Sequence, residues 1–139
     1  MADGYIFVYG TLMSGFGNHQ HYLAGRILSI ERATVEGELY HLRYGYPALT
    51  PGAGKVAGEL ILVKDLESLL PELDELEDYF GPGKDNVYER VNVEAVTEAG
   101  KRVTACVYRY TRLEEIAVNG VLVEGGDWLE FFNRTRKVF

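Results

Sequence analysis

The chain lacks most of the features that assign a class at sight. A single cysteine, Cys106, in 139 residues excludes an internal disulfide framework. Cys106 also falls in a strand-like run with no base beside it in sequence, so it reads as a buried, inert thiol rather than a nucleophile. The three histidines, His19, His21 and His41, make no ligand pattern: a His-x-His pair does not share a helix face, and one cysteine adds nothing at ligand spacing. Neither a metal nor a cofactor is expected. Glycines crowd the stretch from Gly10 to Gly17, but no Gly-Lys-Ser/Thr follows, so it is not a phosphate loop. No Gly-x-Ser-x-Gly elbow occurs. No apolar run approaches membrane-spanning length, and no basic segment precedes the first apolar stretch. The expectation is a cytoplasmic protein with no membrane partner. Bases are scarce as well, with 14 Lys and Arg against 21 Asp and Glu, a net charge of −7 and a pI near 5.0. That balance argues against nucleic acid as the main partner. The one basic cluster, Arg134, Arg136 and Lys137, reads as a solvated tail.

The hydrophobic content of 47% with 25% charged residues suits a soluble globular protein, and the length suits one domain over residues 1–139. Strand patterns run from Tyr5 to Tyr9, Arg26 to Arg32, Thr34 to Leu42 and Val56 to Val63. The Gly- and Pro-rich stretch Arg43 to Lys55 reads as the longest loop. A helix follows with Asp65 near its start and a break expected at Pro71. Val87 to Thr97 and Arg102 to Tyr110 form a hairpin around Glu98-Ala99-Gly100-Lys101. Asn18 and Asp127 are placed to N-cap two short helices, and the stretch between Tyr110 and Gly125 is ambiguous. Several strands with few helices, mostly not alternating, indicate an α+β fold on a mixed or antiparallel sheet. The similar pentapeptides Val35-Glu36-Gly37-Glu38-Leu39 and Val56-Ala57-Gly58-Glu59-Leu60 read as two bends in a curled sheet, their glycines relieving crowding.

Two segments carry chemistry. In Tyr9-Gly10-Thr11-Leu12 a strand stops at a glycine, which lets backbone N–H groups converge on an anion. In Leu73-Asp74-Glu75-Leu76-Glu77 the helical phase is informative. With Leu66 at zero and about 100° per residue, Leu69, Leu70, Leu73, Leu76 and Phe80 fall within roughly 80° of it. Glu77 falls at about 20°, the only acid inside the apolar stripe. A carboxylate there is either satisfied by a base or raised in pKa and available as a catalytic base.

Together these segments resemble the γ-glutamylcyclotransferase family (AIG2-like), in its γ-glutamylamine cyclotransferase branch. Tyr9-Gly10-Thr11-Leu12 is similar to the family's substrate-binding signature, followed here by Gly15, Asn18 and His19. Leu39-Tyr40 and Gly45-Tyr46-Pro47-Ala48-Leu49 resemble the segment joining its second and third strands. Leu73 to Glu77 fits Leu-Asp-x-x-Glu, whose last residue is the family's catalytic glutamate. Tyr88-Glu89-Arg90 fits Tyr-x-Arg, and Gly126-Asp127-Trp128 the closing Gly-Asp-Trp. The departure is Asp78, where the family carries glycine.

The resemblance implies a small β-barrel with a few flanking helices and a cavity at one end. It implies an enzyme acting on a small-molecule γ-glutamyl substrate, releasing 5-oxoproline and a free amine, as a monomer or weak homodimer. Glu77 would be catalytic, and Tyr9, Gly10, Thr11 and Leu12 would bind substrate. Tyr46, Tyr88 and Tyr108 are candidates for the cavity wall, with sheet packing as the alternative for each. A non-catalytic binding or regulatory domain with the same cavity is the other reading of the whole chain.

Overall fold

The computed structural model describes residues 3–10, 12–14, 16–43, 45 and 47–136, except the side chains at 132 and 134–136. The expectations for Thr11, Gly15, Tyr46 and Lys137, and for the Arg134 and Arg136 side chains, fall outside the described residues. The first apolar run forms β1, Gly4–Val8. One turn of π-helix, His19–Leu23, follows, with Asn18 at its N-cap position but no capping bond from the side chain. Two long strands come next, β2 over Ile27–Leu42 and β3 over Pro47–Val63.

These two strands correct the reading of the sequence. Two strands were expected between Arg26 and Leu42. The chain instead runs unbroken through Ala33, which pairs with Gly58 on one side and Thr97 on the other. The stretch expected to be a loop is strand from Pro47 onward, its first residues pairing with Glu38 to His41. Proline opens the strand, where it removes no ladder bond. The Pro51–Gly54 glycines and proline make a bulge at the register shift between Glu36 and Glu38. The Glu38 carboxylate accepts the Gly54 N–H there at 3.1 Å. Gly58 meets the expected crowding: a Cβ on it would lie 2.2 Å from the Val8 carbonyl oxygen, so only glycine lets β3 pass β1 this closely.

The helix α1, Leu66–Leu76, buries Leu66, Leu69 and Leu73. It runs through Pro71 without the expected break, the proline standing on the exposed face. Phe80, expected in the apolar stripe, is 66% exposed. The helix has ended by then, because Asp78 takes a left-handed conformation at φ 52° and turns the chain out. The hairpin forms as expected from β4, Tyr88–Thr97, and β5, Arg102–Tyr110. The ambiguous stretch holds α2, Leu113–Asn119, and β6, Gly120–Leu122. Asp127 caps α3, Trp128–Arg136, by accepting the Glu130 N–H at 3.2 Å.

Strands pair in the order β3-β1-β5-β4-β2, and β2 pairs again with β3, closing a five-stranded barrel with β6 attached to β2. Among the described residues these strands all pair antiparallel except β1 with β5, and an isolated parallel bridge joins Ala57 to Asp127. The fold is therefore α+β, a small mixed barrel with a few flanking helices. The Gly126-Asp127-Trp128 segment fastens its outside. Gly126 accepts the Ala57 N–H at 2.8 Å, Asp127 pairs with Arg32, and Trp128 is buried against His41, to which its indole N–H donates.

Candidate active site

The parallel pairing of β1 with β5 decides where the chemistry collects. Because β1 and β5 run the same way and β4 runs against β5, the ends of β1 and β5 lie at one end of the barrel with the start of β4, where Tyr88 pairs with Tyr110, and Pro47 at the start of β3 lies against Gly10 there. The C-terminus of α1 reaches the same end. There a cavity of about 330 Å³ is lined by Tyr9, Gly10 and Leu12 after β1, Pro47 at the start of β3, and Tyr88 and Tyr108 from the hairpin. Glu77 and Asp78 line it from the end of α1. Segments more than sixty residues apart in the chain are thus brought to one space. Of the expected site residues, Tyr9, Gly10, Leu12, Glu77, Tyr88 and Tyr108 share this cavity, while Thr11 and Tyr46 fall outside the described residues.

The three described tyrosines each donate their hydroxyl back into the protein. Tyr9 Oη donates to the Tyr108 carbonyl at 2.6 Å, Tyr88 Oη to the Pro47 carbonyl at 2.6 Å, and Tyr108 Oη to Asp74 Oδ1 at 2.6 Å. These bonds fix the wall from behind, and Tyr9 and Tyr108 also accept from the Leu49 N–H and the Arg90 guanidinium. Burial drives the Tyr9 pKa well up, and the Glu77 charge adds to the shift, so the phenol and the carboxyl lie near each other. Burial and the bond to Asp74 likewise raise Tyr108.

The carboxyl of Glu77 is the most perturbed acid of the cavity. It terminates α1, where its own N–H still donates to the Leu73 carbonyl at 3.0 Å. Among the described residues its side chain has no hydrogen bond or ion pair. Burial, then the neighbouring Asp78 charge, raise its pKa from 4.5 to about 7. A carboxyl at that value can both accept and return a proton near neutrality. Gly10 and Leu12 line the same cavity, and their N–H groups have no partner among the described residues, whereas the Met13 N–H closes a turn onto the Gly10 carbonyl at 2.9 Å. The segment is anchored beyond that turn, where Glu59 accepts the Ser14 N–H at 2.7 Å and its hydroxyl. Glycine is required at position 10 by space rather than dihedral angle: a Cβ there would lie 2.7 Å from Pro47 Cγ.

Two supporting groups escaped the sequence reading. Asp74 accepts Arg90 Nη1 at 2.7 Å as well as the Tyr108 hydroxyl, tying α1 to β4 and β5 behind the cavity. The Leu-Asp-x-x-Glu and Tyr-x-Arg motifs contain both residues, but only the fold makes them partners. Asn18 was read as a cap and instead lines the cavity. Cys106 is buried, which pushes its thiol up to about 11, as suits an inert position. His19 contacts the Leu12 carbonyl at 2.8 Å. Among the described residues no cluster of His, Cys, Asp and Glu is arranged to hold a metal.

Comparison with known proteins agrees with this geometry. The family model described as gamma-glutamyl cyclotransferase, AIG2-like, matches residues 6–130. A gamma-L-glutamyl-butirosin B gamma-glutamyl cyclotransferase of Niallia circulans is 39% identical over 108 residues, 77% of this chain and 67% of that protein. The crystal structure of an AIG2-like protein of Mus musculus superposes with a TM-score of 0.63 at 27% identity, over 81% of this chain and 82% of the other. The YkqA protein of Bacillus subtilis gives a TM-score of 0.72 at 24% identity, over 98% of this chain. The match spans only 43% of that longer protein, and it bears on the fold alone. With a closed barrel, a carboxyl at one end of it and a family model spanning nearly its whole length, the chain belongs to the gamma-glutamyl cyclotransferase, AIG2-like family.

Proposed function

We propose that this chain converts a γ-glutamyl amine into 5-oxoproline and the free amine, with Glu77 as the proton carrier. The observation that carries the reading is a carboxyl with its pKa raised to about 7, in the same cavity as Gly10 and Leu12, whose N–H groups, like that carboxyl, have no partner among the described residues. The substrate's α-carboxylate sits on those N–H groups, which turns the α-ammonium toward Glu77. Glu77 takes a proton from the ammonium. The freed amine attacks the γ-carbonyl carbon, and a five-membered lactam forms as the bond to the leaving nitrogen breaks. Glu77 returns its proton to that nitrogen, and the second proton left on the ring nitrogen follows by the same route, so the lactam is neutral and the amine departs as an ammonium. Bond making is intramolecular, so the cavity mainly has to hold the glutamyl chain folded back on itself. The tyrosine wall fits that task, since its hydroxyls are fixed from behind.

The product tests the reaction. Mass spectrometry of a γ-glutamyl amine digest is expected to show 5-oxoproline without free glutamate, and acetylating the substrate's α-amine is expected to stop the reaction completely. Free glutamate would mean that water, not the amine, is the nucleophile. Release of 5-oxoproline also separates an enzyme from a non-catalytic binding domain, which would yield no product.

The pH profile tests the proton carrier. Glu77 acts as a base only when ionised, and its raised pKa moves that ionisation from 4.5 to about 7. Activity (kcat/KM) is therefore expected to fall below about pH 7, tenfold per unit at the limit. A plateau extending down toward 4.5 would assign the acid limb elsewhere.

A further inference from the structure

The buried anchors of α1, Leu66, Leu69 and Leu73, end before its last turn. From Asp74 to Asp85 no apolar side chain is fully buried, yet this stretch holds Glu77 at the cavity. What fastens it is polar.

Arg90, on β4, grips the chain on both sides of Glu77. Three residues before it, both carboxylate oxygens of Asp74 accept Arg90 Nη1, at 2.7 Å each. Two residues after it, the Tyr79 ring lies against the guanidinium, whose carbon is 5.5 Å from the ring centroid. Between the two grips the chain closes on itself, the Tyr79 N–H donating to the Asp74 carbonyl at 2.9 Å. Arginine suits the place, because its planar head can meet a carboxylate at its edge and an aromatic ring on its face. The guanidinium also bonds the Tyr108 hydroxyl on β5, so the hairpin sets its position. Arg90 does not line the cavity; with Asp74, Tyr79 and Phe80 it lines a separate groove.

We propose that Arg90 is the positioning residue of the proton carrier: by holding Asp74 and Tyr79 together it fixes the turn that keeps Glu77 in the cavity. This rests on the reaction proposed above. Glu77 must reach the α-ammonium first and the leaving nitrogen afterwards, and a displacement of about 1 Å is enough to cost roughly 10²-fold. A loosened turn also admits water to the carboxyl, which favours its ionised form. Arg90 touches no substrate atom and moves no proton.

Removing Arg90 alone would leave the Asp74 charge uncompensated, so the test replaces both residues, Asp74→Asn together with Arg90→Met. The net charge is unchanged, and the asparagine oxygen can still accept the Tyr108 hydroxyl. The matched control is Glu89→Gln with Arg109→Met, an ion pair one residue along the same two strands and on the opposite face of the hairpin. The titratable groups that share the cavity with Glu77 are Asp78 beside it, Tyr9 after β1, Tyr88 on β4 and Tyr108 on β5, and neither pair of changes removes one.

Loss of the grip is expected to lower kcat by about 10- to 100-fold with a much smaller change in KM. The acid limb of kcat/KM is expected to move down from about 7 toward 4.5. The control should keep both its kcat and its acid limb, whatever stability it loses. Tyr79→Leu removes one grip and leaves the ion pair, so it is expected to lower kcat about threefold, and it decides the matter if the double variant does not fold. Wild-type kcat and acid limb in either grip variant, or an equal fall in the control, would overturn the proposal. A ¹³C NMR titration of the Glu77 carboxyl keeps this test apart from that of the reaction. If no γ-glutamyl amine yields 5-oxoproline, the reaction fails. A Glu77 pKa that drops in the grip variants still upholds the positioning, and an unchanged one overturns it.

Discussion

Replacing Glu77 by Gln is expected to lower kcat for 5-oxoproline release by about 10²- to 10⁴-fold while the barrel stays folded. The amide has the shape of the carboxyl but cannot carry the proton from the α-amine to the leaving nitrogen. Glu75→Gln is the control, because Glu75 is exposed on α1 and does not line this cavity. Stability should move the other way. The folded state raises the Glu77 pKa from 4.5 to about 7, so the folded protein holds this proton more tightly than the unfolded chain does. The contribution is fully present below pH 4.5 and is lost as pH rises through about 7. Above that point the ionised carboxylate is a burden, and Glu77→Gln should unfold at higher denaturant, by up to about 3 kcal/mol. Burial with no partner explains both effects. A variant with wild-type turnover would remove Glu77 from the mechanism, and one that lost activity together with its fold would make Glu77 structural.

Gly10→Val should reduce kcat/KM by at least about 10²-fold and abolish measurable ligand binding. The first added carbon would lie 2.7 Å from Pro47 Cγ and 3.3 Å from Pro47 Cδ. Pro47 has little freedom to yield: its ring is rigid, it opens β3, and its carbonyl accepts the Tyr88 hydroxyl. Relieving the clash therefore moves a wall of the cavity, while the remaining methyl groups fill the space before the Gly10 and Leu12 N–H groups. Titration with a γ-glutamyl amine, read by calorimetry alongside circular dichroism, checks it. Normal affinity in a folded Gly10→Val protein would exclude this turn as the binding site for the α-carboxylate.

The sequence by itself determined the elements whose cause is local. The run Tyr5 to Val8 is apolar enough to be a strand in any context, and Glu98 to Lys101 is a sound hairpin turn. Asp127 caps its helix through its own side chain. The phase of Glu77 was legible too, since helical geometry puts it above Leu73 whatever packs against that face. The motif carrying Glu77 and the one carrying Gly10 were both readable as words. Other features depended on partners distant in the chain, and these only the tertiary structure decided. Ala33 continues a strand because Gly58 and Thr97 flank it, and Pro47 to Thr50 are strand because Glu38 to His41 are there to pair with. Pro71 leaves α1 intact because it stands on the solvent side, and Asp78 releases Phe80 from the apolar face by turning the backbone left-handed. The link from Asp74 to Arg90 and Tyr108 exists only once the helix lies across the hairpin. Above all, the parallel pairing of β1 with β5 brings Gly10, Tyr108 and Glu77 to one end of the barrel. Local propensity carries no information about strand order, because closing the barrel is a property of the whole chain.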